Sequence, residues 1–424
     1  MSRVLEVWFQ GSKAGRLVQD DSGRLSFAYA DAYLAGETPW PLSVSMPVRV
    51  EPYEDRIARS FFSGLLPDER VRHRLARLLG VSEKNPFSLL EAVGGECAGA
   101  LSLYPEGTEP PPSEDSEAAE ILDEARLRDI LALLRRRPLL AGQDDIRLSL
   151  AGAQDKLAVR VVEDRLALIH GGAPTTHILK PVIQGEADIR DSVHNELFCL
   201  LLAARVGIPV PHAEIRTAGD EPFLLVERYD RVRNGKQVVR LHQEDFCQAL
   251  SVPPESKYER EGGPGVAACL ELIQKFSIRP VPDRMIFLKT LIFNYLIGNA
   301  DAHGKNFSFL YEQGKPRLAP AYDLLSTAVY PSISSKMAMK IGGRYRAEEV
   351  LHRHWHRLVP DTVTARKALD SDLKRMAEMT QEQARKLIED LHQQAVESEI
   401  FAAILSVIEM RATHLLKEYG RAKE

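Results

Sequence analysis

Leu296-Ile-Gly-Asn-Ala-Asp-Ala-His-Gly-Lys-Asn-Phe307 is the stretch around which the rest of the chain is organised. It follows a strongly apolar, helix-like segment over residues 285–297 and packs Asp301, His303, Lys305 and Asn306 into six positions. Gly298 and Gly304 punctuate it, which predicts a polar loop held by a buried helix. Asp301 stands five positions before Asn306. That is the spacing of a catalytic loop whose Asp takes a hydroxyl proton and whose Asn holds a metal ion, but an isolated pair of this kind is more often a polar turn whose Asp and Asn satisfy their own backbone. The remainder of the chain decides between the two readings.

A chain of 424 residues predicts two or three structural units rather than one core. With 44% hydrophobic and 27% charged residues it reads as an ordinary globular protein. A net charge of −5 and a pI near 6.2 exclude a surface covered in basic residues, while leaving room for a local basic patch. Cys97, Cys199, Cys247 and Cys269 are scattered without a C-x-x-C pair, so they predict small, reduced, buried residues. No basic-then-apolar leader opens the chain, and the apolar run over 197–204 is far too short to span a bilayer. These features predict a cytoplasmic protein with no membrane partner.

Residues 1–104 read as a sheet-rich unit, with alternating segments at 4–9 and 25–29 and a helix at 70–79 ended by Gly80. The Pro-, Glu- and Ser-rich stretch 105–119 predicts a linker. A helix is expected from Ile121 through Leu134, closed by the basic Arg135-Arg-Arg137. Ser149-Leu-Ala-Gly-Ala-Gln-Asp-Lys156 then precedes a strand-like segment, 157–162. A small-residue turn there can bring backbone N–H groups to phosphate oxygens, with Ser149 a reachable hydroxyl at its mouth; a plain hairpin turn fits as well. Lys180, near the end of a short strand stopped by Pro181, suits a phosphate partner or a solvated strand end. Asn195-Glu196 opens an apolar helix, and an acid there would orient the lysine or simply favour the helix start. Phe223-Leu-Leu-Val-Glu-Arg-Tyr-Asp230 reads as a buried strand whose polar exit places Glu227 and Tyr229.

From Leu241 the pattern turns mostly helical, including 243–250, and 257–265 reads as a glycine-rich surface loop. After the strand 307–311, Tyr322-Asp323 places a second carboxylate seventeen positions beyond Asn306. Residues 336–346 are locally basic, fitting either nucleic-acid phosphates or a solvated edge. His352 and His356 stand four apart on an expected helix, but no third metal ligand is evident in the sequence. The C-terminal segments 371–391 and 397–419 read as bundle helices.

Each motif is weak alone; their order is not. A phosphate-type turn, strand lysine, helix acid, strand exit, D-x-x-x-x-N loop and later Asp follow the order of protein kinases. In that chemistry the loop Asp accepts the hydroxyl proton, while the Asn and the later Asp hold magnesium. Here the later triplet is Asp323-Leu-Leu, so only its carboxylate matches the usual D-F-G.

The chain resembles the HipA-type serine/threonine kinases, toxins of bacterial toxin–antitoxin pairs, over nearly its whole length. The resemblance rests on Ser149 to Lys156, Thr175-Thr-His-Ile-Leu-Lys180, Asn195-Glu196, Val226-Glu-Arg-Tyr-Asp-Arg231, Gln243-Glu-Asp245, Lys257-Tyr-Glu259, Gly262-Gly-Pro-Gly265, the opening stretch and Tyr322-Asp323. It implies an α+β, two-lobed protein-kinase-like fold with an added N-terminal sheet-rich subdomain and an all-helical C-terminal lobe. The implied boundaries are 1–104 for that subdomain, 105–119 for the linker, 120–235 for the ATP-binding lobe and 236–424 for the catalytic lobe.

The resemblance implies ATP and Mg²⁺ as cofactors. Ala151, Gly152, Ala153, Gln154, Lys156, Lys180, Glu227, Tyr229, His303 and Tyr322 would contact the nucleotide. Asn306 and Asp323 would hold Mg²⁺, and Asp301 would be the base, with His303 and Lys305 beside it. Ser149 would be an autophosphorylation site that ejects the ATP-binding loop. The implied partners are a HipB-like DNA-binding antitoxin, operator DNA through that antitoxin complex, and a protein substrate such as glutamyl-tRNA synthetase. Two other readings are a small-molecule kinase and an inert co-repressor. Intact Lys180, Asp301, Asn306 and Asp323 count against the second, and the Ser149 loop with the extra N-terminal unit against the first.

Overall fold

The computed structural model describes residues 2–111, 119–142, 146–183, 189–235 and 237–421, so 112–118 of the expected linker lie outside it. The fold is α+β. It divides into a first compact unit (Met1–Pro181, Arg216–Glu255 and Ser308–Pro316) and a second (Val182–Ile215, Ser256–Phe307 and Arg317–Glu424).

The first unit opens with β1 (Arg3–Phe9), β2 (Ser12–Gln19), β3 (Leu25–Tyr29) and, later, β4 (Leu101–Pro105), in the order β3-β2-β1-β4. Phe9 pairs with Ser12, so Gln10-Gly11 is a two-residue turn with both φ values positive, which matches the twist of the strands it joins. Leu5, Val7 and Phe9 alternate into one core with Phe27, Phe61, Phe62 and Phe87. Helices α1 (Asp31–Leu34), α2 (Asp55–Gly64) and, after α3 (Glu69–Leu79), α4 (Pro86–Val93) pack on this sheet, with α3 against α4. Gly80 closes α3 in the left-handed conformation, φ +67°, as its position predicts.

A six-stranded sheet follows. It comprises β5 (Ala119–Ile121), β6 (Leu157–Val162), β7 (Arg165–Ile169), β8 (His177–Pro181), β9 (Ala213–Ala218) and β10 (Glu221–Glu227), ordered β5-β7-β6-β8-β10-β9. Ile121 is not the start of a helix: it pairs with Ala167, and α5 (Glu124–Leu134) begins only after Asp123, whose carboxylate accepts from Arg126 N. Leu131 and Leu134 of α5 join Leu157, Val159, Leu168, Leu179, Phe223 and Leu225 in a second core. The helix α6 (Ser192–Arg205) belongs to the second unit. Back in the first, β11 (Arg231–Asn234) and β12 (Gln237–Arg240) form a hairpin.

Residues 243–250 are not one helix. Gln243 to Asp245 form β13 (Gln243–Asp245), paired with β14 (Ser308–Glu312) beside β15 (Lys315–Leu318). Helix α7 (Phe246–Ala249) starts after Asp245, which forms a capping box with Gln248.

The second unit contains α8 (Val266–Phe276), α9 (Pro280–Ile297), α10 (His352–His356), α11 (Val363–Gln393) and α12 (Glu399–Arg421), with α9 packed against α8, α11 and α12. One short hairpin, β16 (Lys336–Ile341) and β17 (Arg344–Arg346), interrupts the helices. Three of its four basic side chains lie opposite acids: Lys340 and Glu259 at 3.6 Å, Arg346 and Glu348 at 3.5 Å, Arg344 and Glu349 at 3.8 Å. That is the solvated-edge arrangement. All four cysteines are buried and free, and no helix among the described residues is long and apolar enough to cross a membrane.

Candidate active site

The candidate residues fall into two sets, one in each unit. In the first unit the loop from Ser149 to Lys156 runs directly into β6, whose Leu157 pairs with Leu179 of β8. Lys180 follows on β8, opposite Leu224. Gly152 has φ +110°, a conformation that favours glycine, and a Cβ there would sit 2.4 Å from Lys156 Nζ and displace that ammonium from its present place. Lys156 Nζ donates to Ala151 O at 2.7 Å, and Gln154 Nε2 to Pro181 O at 3.2 Å, which ties the loop to the strand carrying Lys180. Lys156 and Lys180 are 7% and 5% exposed. A buried lysine held on the glycine turn, with a second buried lysine on the strand tied to that turn, is chemistry suited to phosphate oxygens.

Ser149 is not a reachable hydroxyl. It is 0% exposed, its N–H bonds Glu96 O and its Oγ donates to Leu65 O at 2.7 Å. The loop is further held by Asp68 N donating to Gly152 O at 3.1 Å. These anchors come from residues far earlier in the chain, so local sequence carries no sign of them.

The exit of β10 alternates. Val226, Arg228 and Asp230 are buried, Glu227 is exposed and Tyr229 is half-buried, with its hydroxyl donating to Gln243 Oε1. The buried residues build a charge network that the sequence reading missed. Arg228 donates to both oxygens of Asp230, at 3.0 and 2.9 Å, and Arg231 Nη2 to Glu96 Oε1 at 2.7 Å. Arg228 Nη1 reaches the same Glu96 oxygen at 3.2 Å, and Gly99 N donates to Asp230 Oδ2 at 2.8 Å. Burial alone would raise both carboxyls; the two guanidiniums beside them hold Glu96 and Asp230 below their ordinary values instead. The available signal was the charged Arg228-Tyr-Asp-Arg231 run straight after an apolar strand. The network fixes the backbone on both sides of Glu227 and Tyr229.

In the second unit, α9 ends at Gly298, φ +71°. A Cβ there would meet Ala328 Cβ at 2.6 Å and Val407 Cγ1 at 2.8 Å, so the turn is restricted to glycine. Asn299 Oδ1 accepts from Asp301 N at 3.0 Å, and its Nδ2 donates to Asn294 Oδ1 at 3.0 Å, which anchors the loop to the last turn of α9. Asp301 emerges exposed and accepts a hydrogen bond from Tyr258 OH at 2.5 Å. His303 is buried and packs its ring edge-on to Tyr258 at 5.1 Å. Lys257, expected on the surface, is buried; its carbonyl accepts from Gly304 N at 3.4 Å because the loop folds over it.

A 3₁₀ turn, Gly304–Asn306, presents the carboxamide. Asn306 Oδ1 is buried and receives no hydrogen bond from any donor among the described residues. A buried acceptor left in this state is costly unless a ligand satisfies it, and an amide oxygen is a suitable ligand for a hard cation. Lys305 is buried, and its carbonyl accepts from Tyr322 OH at 2.6 Å, tying the segment before Asp323 to the loop of Asn306. Asp323 itself has φ +52°, unusual for a non-glycine residue. Beyond it, Asn195 of α6 clamps Ser326: Oδ1 accepts from Ser326 N at 2.8 Å and Nδ2 donates to Ser326 O at 3.0 Å. Glu196 is buried on the same helix. Asn195 had been read only as part of a helix start; the structure makes it a brace for the Asp323 segment.

Comparison with known proteins gives a consistent answer. Residues 5–104 match the family described as the HipA N-terminal domain, and residues 148–398 match the HipA-like C-terminal domain. The Sinorhizobium fredii protein Y4mE is 47% identical over 392 residues, covering 92% of each chain. The serine/threonine-protein kinase toxin HipA of Shewanella oneidensis is 31% identical over 382 residues, covering 84% of each. A solved complex of HipA, HipB and operator DNA from Shewanella oneidensis MR-1 contains a chain of TM-score 0.81 and 27% identity, matched over 98% of this chain and 97% of that one. Both domain models match, and the identity to the Shewanella toxin runs over most of each chain, so the chain belongs to the HipA family.

Proposed function

We propose that the chain is an ATP- and Mg²⁺-dependent serine/threonine protein kinase acting as a HipA-type toxin. The observation that carries this reading is the buried, unsatisfied Oδ1 of Asn306 on the loop that also exposes Asp301. ATP with Mg²⁺ supplies the transferable phosphoryl group and a counter-charge for its oxygens. Lys156 and Lys180 hold phosphate oxygens, and Ala151 to Gln154 line the phosphate turn. Glu227 and Tyr229, fixed by their buried arginine neighbours, flank the nucleotide. Asn306 Oδ1 and the Asp323 carboxylate would hold Mg²⁺, and Tyr322 braces the segment before Asp323 through its bond to Lys305 O. Asp301 accepts the proton of the substrate hydroxyl, oriented by Tyr258. His303 supports the loop through its packing on Tyr258, and Lys305 lies between base and metal ligand. Catalysis of this kind is positioning plus electrostatic stabilisation.

Ser149 is the regulatory acceptor in the same reading. Its hydroxyl is enclosed, so phosphorylation requires the loop to leave its site. A phosphate of about −2 charge cannot donate to the Leu65 carbonyl and does not fit the enclosed place of the hydroxyl, which keeps the loop out afterwards. Loss of the phosphate turn would then silence the kinase. The proposed partners are a HipB-like antitoxin, operator DNA through that complex, and a translation component such as glutamyl-tRNA synthetase as substrate. The Shewanella HipA–HipB–operator assembly supports the first two. The test is Mg²⁺-dependent ATP turnover by the purified chain. Asn306→Ala is expected to raise the Mg²⁺ requirement, and no Mg²⁺-dependent turnover by the unmodified chain would exclude the reading.

A further inference from the structure

The His352/His356 pair lacked a third ligand in the sequence, and the fold supplies one. The i, i+4 spacing puts both imidazoles on one face of α10. Asp370 reaches them from α11, with its Oδ1 2.7 Å from Nε2 of His352 and 2.7 Å from Nε2 of His356. Three donor atoms, one per residue, lie within 4.8 Å of one another. Their side chains are 13%, 20% and 19% exposed, sheltered yet open to an incoming ion. The intervening His354 faces elsewhere, its Nδ1 accepting from Leu351 N at 2.9 Å. Lys374, one turn beyond Asp370, is turned towards Glu378 at 3.8 Å.

We propose that His352, His356 and Asp370 form a transition-metal site, selective for Zn²⁺-class ions and distinct from the Mg²⁺ ligands. Two imidazole nitrogens and one carboxylate oxygen are a borderline-soft set, preferring Zn²⁺, Co²⁺ or Ni²⁺ to Mg²⁺. Both imidazole nitrogens now sit 2.7 Å from the carboxylate oxygen, and an ion with Zn–N and Zn–O bonds of about 2.0–2.2 Å would take the place of those contacts as the donors open to about 3.3 Å from one another. The fourth position is left to solvent. The ion would cross-link the five-residue α10 to the long α11. Trp355 of α10 packs edge-on to Tyr295 at 5.4 Å, near the end of α9, so the staple also steadies the helix that carries the Asp301 loop. The site stands whether or not the chain is a kinase.

Full-length protein stripped with a chelator is titrated with Co²⁺, read by its visible d–d absorption, and with Zn²⁺ by calorimetry. One equivalent is expected to bind and to raise the melting temperature, with millimolar Mg²⁺ failing to compete. His352→Ala or His356→Ala should weaken binding by at least about tenfold, given that loss of even an outer-shell partner costs 10–100-fold. Asp370→Asn should weaken it also. His392→Ala, a surface pair with Glu397, and Asp323→Ala should leave the Co²⁺ band unchanged. If an α10 variant fails to fold, imidazole nitrogen resonances of the intact protein serve instead, and Zn²⁺ must shift those of His352 and His356. No Co²⁺ band, or an equal band in the double His variant, would mean that the cluster is only a carboxylate bridging two imidazoles.

Discussion

Tyr258 donates its hydroxyl hydrogen to Asp301 Oδ1 at 2.5 Å, while its ring packs on His303. One side chain thus orients the proposed base and supports the neighbouring histidine. Tyr258→Phe keeps the ring and removes only the hydrogen bond. A hydrogen bond to a charged group contributes about 1.5–3 kcal/mol, so kcat should fall roughly 10- to 100-fold with KM for ATP little changed. Steady-state kinetics separates the two. A rise in KM at unchanged kcat would assign Tyr258 to nucleotide binding instead.

Arg231 and Glu96 make a largely desolvated ion pair that also holds Arg228. Glu96→Gln leaves two buried guanidiniums sharing one carboxylate, and breaking a buried pair costs about 3–5 kcal/mol. Chemical denaturation should show a loss of that size.

The same network sets acid sensitivity. Glu96 and Asp230 have folded pKa values below their unfolded ones, so the unfolded chain takes up protons first as pH falls. Their stabilisation is full above the ordinary carboxylate range and is lost below about pH 4.5, from the unfolded value of 4.5 for Glu96. Glu96→Gln should therefore flatten the acid limb of stability against pH.

Glu244 behaves in the opposite sense. Burial pushes its carboxyl up to about 7, despite hydrogen bonds from Ser43, Tyr311 and Val44 N–H. The folded state holds this proton more tightly than the unfolded one. Its contribution is full below about pH 4.5 and is lost as pH rises to about 7. Relative to the wild type, Glu244→Gln should gain stability between pH 5 and pH 8. Nearby His242, lowered by burial to about 4, pulls the wild-type curve the other way between about 6.5 and 4, so the comparison must be made between variants. A constant difference across that range would show that Glu244 titrates normally.

Asn195→Ala removes both bonds to Ser326 and leaves that residue's buried backbone N–H and C=O without them. The Asp323 segment should loosen, raising the Mg²⁺ concentration for half-maximal activity several-fold. Unchanged Mg²⁺ dependence together with a lower melting temperature would confine Asn195 to stability.

What could be read from the sequence was local. The Gly80 cap and the apolar helix ending at Gly298 each depend on neighbours within a few residues. Asp301, Asn306 and Asp323 were visible because their spacing is set by one turn and one short hairpin. What stayed hidden depends on partners distant in the chain. Ser149 looked reachable because its acceptor, Leu65, lies 84 residues away. Gln243 to Asp245 looked helical because their strand partner begins at Ser308. Glu96 carried no sign of Arg228 and Arg231, and the His pair gave no sign of Asp370. Side-chain burial and long-range pairing, rather than backbone propensity, decided those positions.

The most direct test of phosphoryl transfer is incubation of purified, dephosphorylated full-length protein with γ-labelled ATP and Mg²⁺, followed by mass spectrometry of the peptide containing Ser149. The wild type should acquire one phosphate at Ser149, dependent on Mg²⁺, and Asp301→Asn should acquire none. A wild type that remains unlabelled, or an Asp301→Asn variant labelled at the same rate, would contradict the assignment of Asp301 as the base of an active kinase.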